Sequence, residues 1–392
     1  ITRALGELIN QPAKKRELEQ KAYQYGQTTN WPSVAEKHLV AFKKIINLKN
    51  KAKPFHLPAL NLNHLYNLSD DVGIIQHAKH SINDRSSGYT TDDNARALIV
   101  ATMHYKKFKD AESLKFIKIY LSFLYHALTK DNWFHNFMNY DRRFLDKRGS
   151  EDCFGRALWA MGVVVSSNLH ENIKKTAKFI FDKSVRNLRQ LKSPRGQAFS
   201  LIGLYHYYQI CPEVAIKEQI IFLAEKLVKL YRTEKTKDWH WFEEDITYDN
   251  GRLPEALFLA YEIIKDKNYL KIAKEALDFL SSLVIINNKL VLIGQHGWYK
   301  HKGKRAFYDQ QPVDAASMTQ VFLSAYATTK EKKYYEKAIV AFSWFLGENS
   351  INQPVYDEIT GGCYDGLLPE CVNLNQGAES TISYLLARLS LE

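Results

Sequence analysis

Cysteine is scarce in this chain of 392 residues: Cys153, Cys211, Cys363 and Cys371 are the four, with no CxxC pair and no metal-ligand spacing. That argues against a disulfide scaffold or a zinc ribbon. Cys153 and Cys211 fall within helical patterns and read as core residues. Cys363 and Cys371 share a loop region and have the proximity to pair, but a reduced, cytoplasmic compartment is the simpler reading. No apolar run is long enough to span a bilayer. No secretory signal is visible, and a first residue of Ile1 points to a missing native N-terminus. HExxH, phosphate-loop and GxGxxG motifs are absent, which argues against a metal centre and against a nucleotide cofactor. Although the formal charge is +11, lysines are spread over helical stretches such as 106–118, 174–192 and 265–274. They form no Arg-rich stripe, so they read as solvated outer faces rather than a nucleic-acid footprint.

What the chain does have is apolar and aromatic residues: 45% hydrophobic, with 7 Trp, 23 Tyr and 20 Phe, enough for a large core. One stretch sets the pattern. Residues 88–101 run from Gly88 through Thr90, Thr91, Asp92 and Asp93 into Ala95, Arg96, Leu98, Ile99 and Val100. Threonine caps with acids in the first turn start a helix, and a helix apolar on every side must be buried. The same polar start and buried run recurs at 150–161, 193–202, 249–258, 312–319 and 375–382. The copies stand roughly 45 to 65 residues apart, the range of a helical-hairpin repeat.

Between these runs lie one-sided, Lys-rich helices near 111–128, 171–190, 213–232, 267–285 and 331–347. Leu114, Ile117, Leu121 and Leu124 mark the apolar stripe of the first. Six buried helices with amphipathic partners, and no capping repeats, predict an all-α ring over residues 51–392. The sixth partner is expected from residues 36–68, and residues 70–78 read as a strand-like or loop entry. Residues 1–50 form a separate helical arm, with a charged helix from Pro12 to about Tyr25.

This pattern resembles the (α/α)6 toroids of the six-hairpin glycosidase-like superfamily, across residues 55–392. The arm, with Tyr25-Gly26 followed by Trp31, resembles the C-terminal tail of two-domain, GT-B type glycosyltransferases over residues 1–48. The resemblances together imply a glycoside hydrolase-like domain fused to a glycosyltransferase, trimming or remodelling its glycan. The superfamily also hosts epimerases, lyases and phosphorylases, so the fold does not by itself give the chemistry.

In such a ring, the loops leading into inner helices gather on one face. Here those loops are long and aromatic, around 131–144, 238–245, 294–301 and 356–366. They suit stacking on sugar rings and offer Trp133, His135, Tyr140, Trp239, His240, Trp241, His296 and Trp298 as substrate ligands. Glycoside cleavage needs two carboxyl groups, one protonated and one ionised. Asp93 and Glu379 are the leading pair, because the first and sixth inner helices become neighbours when the ring closes. Acids in a helix's first turn favour ionisation, so Asp92 or Asp93, Asp152 and Asp314 suit a base, nucleophile or sugar ligand. Glu244, beside Trp241 and Phe242, and Glu379, in its small-residue helix, are candidate acids, and Asp365 a further ligand. The Asp92-Asp93 pair also looks like the double Asp of some mannan-cleaving toroids. Arg96, Arg156 and Arg252 are expected to pair with these carboxylates as clamps or ligands. The rivals are an epimerase using His240 and His296, a phosphorylase, and a non-catalytic glycan-binding module.

Overall fold

The computed structural model describes residues 8–29 and 57–392, together with Gly6, Trp31, Val34, Ala35, residues 37–39 and Phe55. The chain divides into two compact units, Ile1–Leu57 and Pro58–Glu392. In the first, helix α1 (Pro12–Thr29) begins at the expected proline but runs through Tyr25 and Gly26 rather than ending there. Residues 40–48 of the arm, the end of the stretch resembling a glycosyltransferase tail, lie outside the described residues.

The second unit alternates inner and outer helices. It opens with the short α2 (Asn63–Asn67), then inner α3 (Thr91–Phe108) and outer α4 (Ala111–Ala127). The order continues with α5 (Glu151–Val165) and α6 (Glu171–Ser184), then α7 (Pro194–Tyr208) and α8 (Val214–Glu234). Next come α9 (Arg252–Ile264) and α10 (Lys267–Val284), α11 (Pro312–Thr329) and α12 (Lys332–Ser343), and last the inner α13 (Ala378–Ser390). Each odd-numbered helix from α3 onward packs on the next, and α13 packs on α3, which closes the ring. The unit is an (α/α)6 toroid. Of the outer partner expected from residues 36–68, the toroid contains α2 alone among the described residues.

Burial follows the sequence pattern. In α5, every residue from Cys153 to Val165 is buried, whereas α4 buries Phe116, Ile117, Tyr120, Leu121 and Leu124 on one side. Glycines let α5 and α7 approach closely. A Cβ at Gly162 would lie 2.1 Å from the Gly203 carbonyl oxygen, and one at Gly155 would lie 2.7 Å from that of Gly196. Gly155 and Gly162, like Gly196 and Gly203, stand one heptad apart and so share a helix face.

The two faces of the ring are built differently. Inner helices pass to outer ones through short turns. Those after α3, α9 and α11 are made by Lys109, Lys265 and Lys330 in the left-handed region, with φ of 54°, 63° and 60°. A cation at a helix C-terminus also complements the dipole. Outer helices other than α6, which reaches α7 through a 3-10 turn at Val185–Gln190, return through long loops that carry small sheets. The largest orders β1 (Ile75–Lys79), β2 (Ile82–Thr90) and β3 (Phe137–Met138) antiparallel, at the entry to α3. All functional candidates of the toroid belong to these loops and to the first two helical turns beside them.

Candidate active site

Three of the inner helices, α3, α5 and α7, start with side-chain caps. Thr90 Oγ1 accepts from the Asp93 amide at 3.0 Å and donates to Asp93 Oδ2 at 2.7 Å. Ser150 caps α5 through the Cys153 amide, and Ser193 caps α7 through that of Gly196. Asp365, reached from the last loop, accepts from the Gly377 amide at 2.8 Å and from Ser380 Oγ at 2.7 Å, and so anchors the start of α13.

A two-lobed cleft lies over these helix starts. One lobe, of about 370 Å³, is lined by His77, Thr90, Asp92, Asp93, Arg96, Phe137, Asp309, Asp365 and Glu379, among others. The second, of about 480 Å³, is lined by Asp92, Glu151, Asp152, Arg156, Ser193, Tyr248 and Glu379, among others. Asp92, Gln311 and Glu379 belong to both lobes.

Arginines organise the acids. Arg96 Nη2 donates to Asp93 Oδ1 at 2.8 Å and to Glu379 Oε2 at 3.0 Å, so one cation joins the first and sixth inner helices. Its other terminal nitrogen, Nη1, is buried without a protein partner. Arg156 Nη1 meets both Asp92 oxygens, at 2.8 and 2.6 Å, while its Nη2 donates to Asp249 at 2.9 Å. Arg252 continues the chain from Asp249 to Glu255 and Gln320. In the second lobe, Asp152 accepts from Ser193 Oγ at 3.0 Å and from the Tyr248 hydroxyl at 2.7 Å.

Adjacent residues thereby acquire opposite protonation preferences. Burial opposes the charge of Asp92, but Arg156 and Arg96 outweigh it and hold its carboxyl below the usual range. Asp93 is buried more deeply, 4% exposed, and shares its arginine with Glu379. Burial dominates there and pushes its pKa up to about 6. Asp365 is also pushed up, chiefly by burial.

The structure brings together Asp92, Asp93, Arg96, Asp152, Asp365 and Glu379 and leaves other candidates outside. Glu244 has no apolar setting: its side chain is 66% exposed and pairs with Lys300 on the surface. Trp133 and Trp239 are buried with their indole N–H groups bonded to the Gly149 and Glu243 carbonyls, and Trp241 is fully buried. His135 is bonded to the Asp146 carbonyl and stacked on Phe144, and Tyr140 stacks on Tyr89. His240 contacts the Lys237 carbonyl, His296 is 71% exposed, and Trp298 lies against Tyr248 behind the second lobe's lining. Arg252 is a clamp beneath the cleft.

Asp314 departs from its expected role in a different way. It is buried under the 249–250 turn and held by that turn's amides, and burial pushes its carboxyl well above the usual range despite the helix dipole. Cys363 is buried and Cys371 exposed, and both are free. Tyr248, Gln311, Phe137 and Asp309 reach the cleft without having been singled out. Tyr248 and Gln311 share a signal, each standing one residue before the start of a repeat, at Asp249 and Pro312, whereas Asp309 has none.

No protein-family model matches this chain, and no curated protein matches it in sequence. Solved structures do match in fold. A sugar epimerase from a ruminal bacterium is 12% identical with a TM-score of 0.66, covering 85% of this chain and 96% of that one. A D-mannose isomerase is 13% identical with a TM-score of 0.67, covering 84% and 94%. The GH76A α-1,6-mannanase from Salegentibacter sp. HEL1_6 is 12% identical with a TM-score of 0.59, covering 84% and 95%. At these identities the likeness is one of fold.

Proposed function

We propose that the toroid is a carbohydrate-processing enzyme that cleaves glycosidic bonds by carboxylate acid and base chemistry. The observation that carries this reading is the pair of neighbouring carboxyls with opposed protonation, Asp92 held ionised and Asp93 pushed up to about 6. Two titratable groups whose surroundings separate their pKa values are suited to acid and base roles in one reaction. Asp93 is then the proton donor. Asp92 and Glu379, which line both lobes, are the carboxylates that face the developing positive charge at the sugar or activate water. Arg96, Thr90 and Arg156 hold these groups in register.

The fold neighbours, a mannanase, a sugar epimerase and a D-mannose isomerase, agree with a carbohydrate substrate. An epimerase route, proton abstraction beside a carbonyl, needs proton-transfer groups on both faces of the substrate. Among the described residues lining the cleft, His77 is the one histidine, and the carboxylates dominate. That favours bond cleavage. The glycosyltransferase joined in front of the toroid, which would build the glycan the toroid trims, rests on the resemblance of residues 1–48 alone.

The test is reducing-end release from mannans, glucans and bacterial surface glycans, with and without phosphate. Wild type is compared with Asp93→Asn and Glu379→Gln, each checked for folding by circular dichroism. Release that both substitutions abolish supports the reading. Release that requires phosphate would convert it to a phosphorylase, and binding with no release would convert it to a glycan-holding module.

A further inference from the structure

Gln311 stands at the start of an inner helix without serving it. It is the N-cap residue of α11, yet its side chain makes no cap hydrogen bond. The half-buried amide has no protein partner, and its polar atoms are not among those sealed from solvent. It lines both lobes of the cleft, as Asp92 and Glu379 do, so these three mark a waist between the lobes. Asp93, by contrast, lines the first lobe alone, and Asp152 and Tyr248 line the second alone. At about 370 and 480 Å³, each lobe is large enough to be a ligand pocket by itself. Each also offers a ring held in place. In the first lobe, Phe137 is 49% exposed, and its amide is fixed to Asp146 at 2.7 Å. In the second, the Tyr248 hydroxyl donates to Asp152 and the Arg195 guanidinium lies over its ring.

This layout bears on which part of a glycan is cut. The carboxylates that face the reacting carbon lie between two cavities, so the chain has room on both sides of the bond. The proton donor reaches only one side, and a general acid must meet the oxygen of the departing portion. We propose that the cleft takes an internal stretch of a glycan chain, with the scissile bond at the waist. The departing, reducing-end portion occupies the first lobe, and the portion that keeps the anomeric carbon occupies the second. Gln311 binds a hydroxyl of the sugar at the waist, a contact of the kind that strengthens in the transition state. The proposal rests on the cleavage reading given above. As the bond from the anomeric carbon breaks, its electron pair goes to the glycosidic oxygen, which takes the Asp93 proton. Water supplies the hydroxyl to that carbon and gives its proton to a carboxylate of the waist.

Binding is read first, by calorimetry on Asp93→Asn, with manno- and gluco-configured disaccharides and hexasaccharides. In at least one series the hexasaccharide, which fills both lobes, should bind about tenfold or more tighter than the disaccharide. Equal affinity, or no binding in either series, overturns the inference. Cleavage position is then read with active protein on hexasaccharides labelled at the reducing end. Internal cuts are expected. Release of terminal monosaccharide alone overturns the inference and leaves the cleavage reading standing, whereas no release removes that reading and the inference with it. Phe137→Ala should move the cut toward the reducing end, and Tyr248→Ala toward the other end, with folding checked by circular dichroism. Shifts of the opposite sense, or none, contradict the assignment of the lobes, and the exposed Phe137 keeps this test decisive should Tyr248→Ala fail to fold. Gln311→Ala should lower kcat/KM about tenfold, the worth of one hydrogen bond, with an unchanged melting temperature. A wild-type kcat/KM would overturn its role.

Discussion

Asp92 and Asp93 are neighbours in sequence with the same side chain and the same helix dipole, and they differ only in what surrounds them. Asp92 meets its own arginine with both oxygens, while Asp93 shares one nitrogen of Arg96 with Glu379. Two predictions belong here. Arg156→Met strands Asp92 and deprives Asp249 of one of its two arginines, so it should cost about 3 kcal/mol at neutral pH in urea unfolding. Both carboxyls lie below their usual range in the folded protein. Their contribution is therefore present above the unfolded pKa and lost as pH falls through the folded one. The cost of Arg156→Met should shrink below about pH 4. A cost independent of pH would contradict the pairing.

Asp93 has the opposite sign. Its folded pKa is raised, so the folded state holds the proton more tightly, and stability declines as pH rises from about 4 to about 6. Asp93→Asn should lack that decline, and matching wild-type and variant curves across this window would contradict the burial argument. The first-turn rule made the acids legible as candidates but not their protonation. Desolvation depends on depth, and depth at Asp93 and Asp314 comes from neighbouring loops that the sequence does not order.

Among the elements, the inner helices were legible because each couples a polar start to an apolar run, and the structure supplies the caps at Thr90, Ser150 and Ser193. The loop aromatics were not. Composition identifies an aromatic loop but not which way each ring faces. Trp133, Trp239 and Trp241 have turned inward, where the largest apolar side chains gain most from burial. Of the stretch 36–68 expected to give the sixth outer helix, residues 36, 40–54 and 56 lie outside the described residues, and the described ones supply α2 to the toroid. The α5–α7 seam gives a test at this scale. Gly162→Ala sets a methyl 2.1 Å from the Gly203 carbonyl, so the helices must separate. The expected loss is about 1–3 kcal/mol, with lower melting temperature by calorimetry, whereas Ala→Gly changes on exposed outer faces should cost less than half of that. An unchanged melting temperature would mean the two backbones are not in close contact.

At the scale of the molecule, a line of charges crosses the ring. It runs from Asp92 in the cleft through Arg156, Asp249 and Arg252 to Glu255 and Gln320. Buried ions of this kind stabilise little relative to apolar packing, so their value lies in fixing the orientation and charge of what they touch. The ring itself could be read from the alternation of helix types. The charge line could not, because it joins positions as far apart in sequence as Asp92 and Asp249, which only closure of the ring brings together. The central claim is that the cleft separates its carboxyls into a proton donor and ionised partners that cleave a glycosidic bond. Its most direct test is the pH dependence of kcat/KM for reducing-end release from the best glycan substrate. The account predicts a rate that falls as pH rises through about 6, where Asp93 loses its proton, and no release by Asp93→Asn. A rate unchanged between about pH 5 and 7, or an active Asp93→Asn, would contradict it.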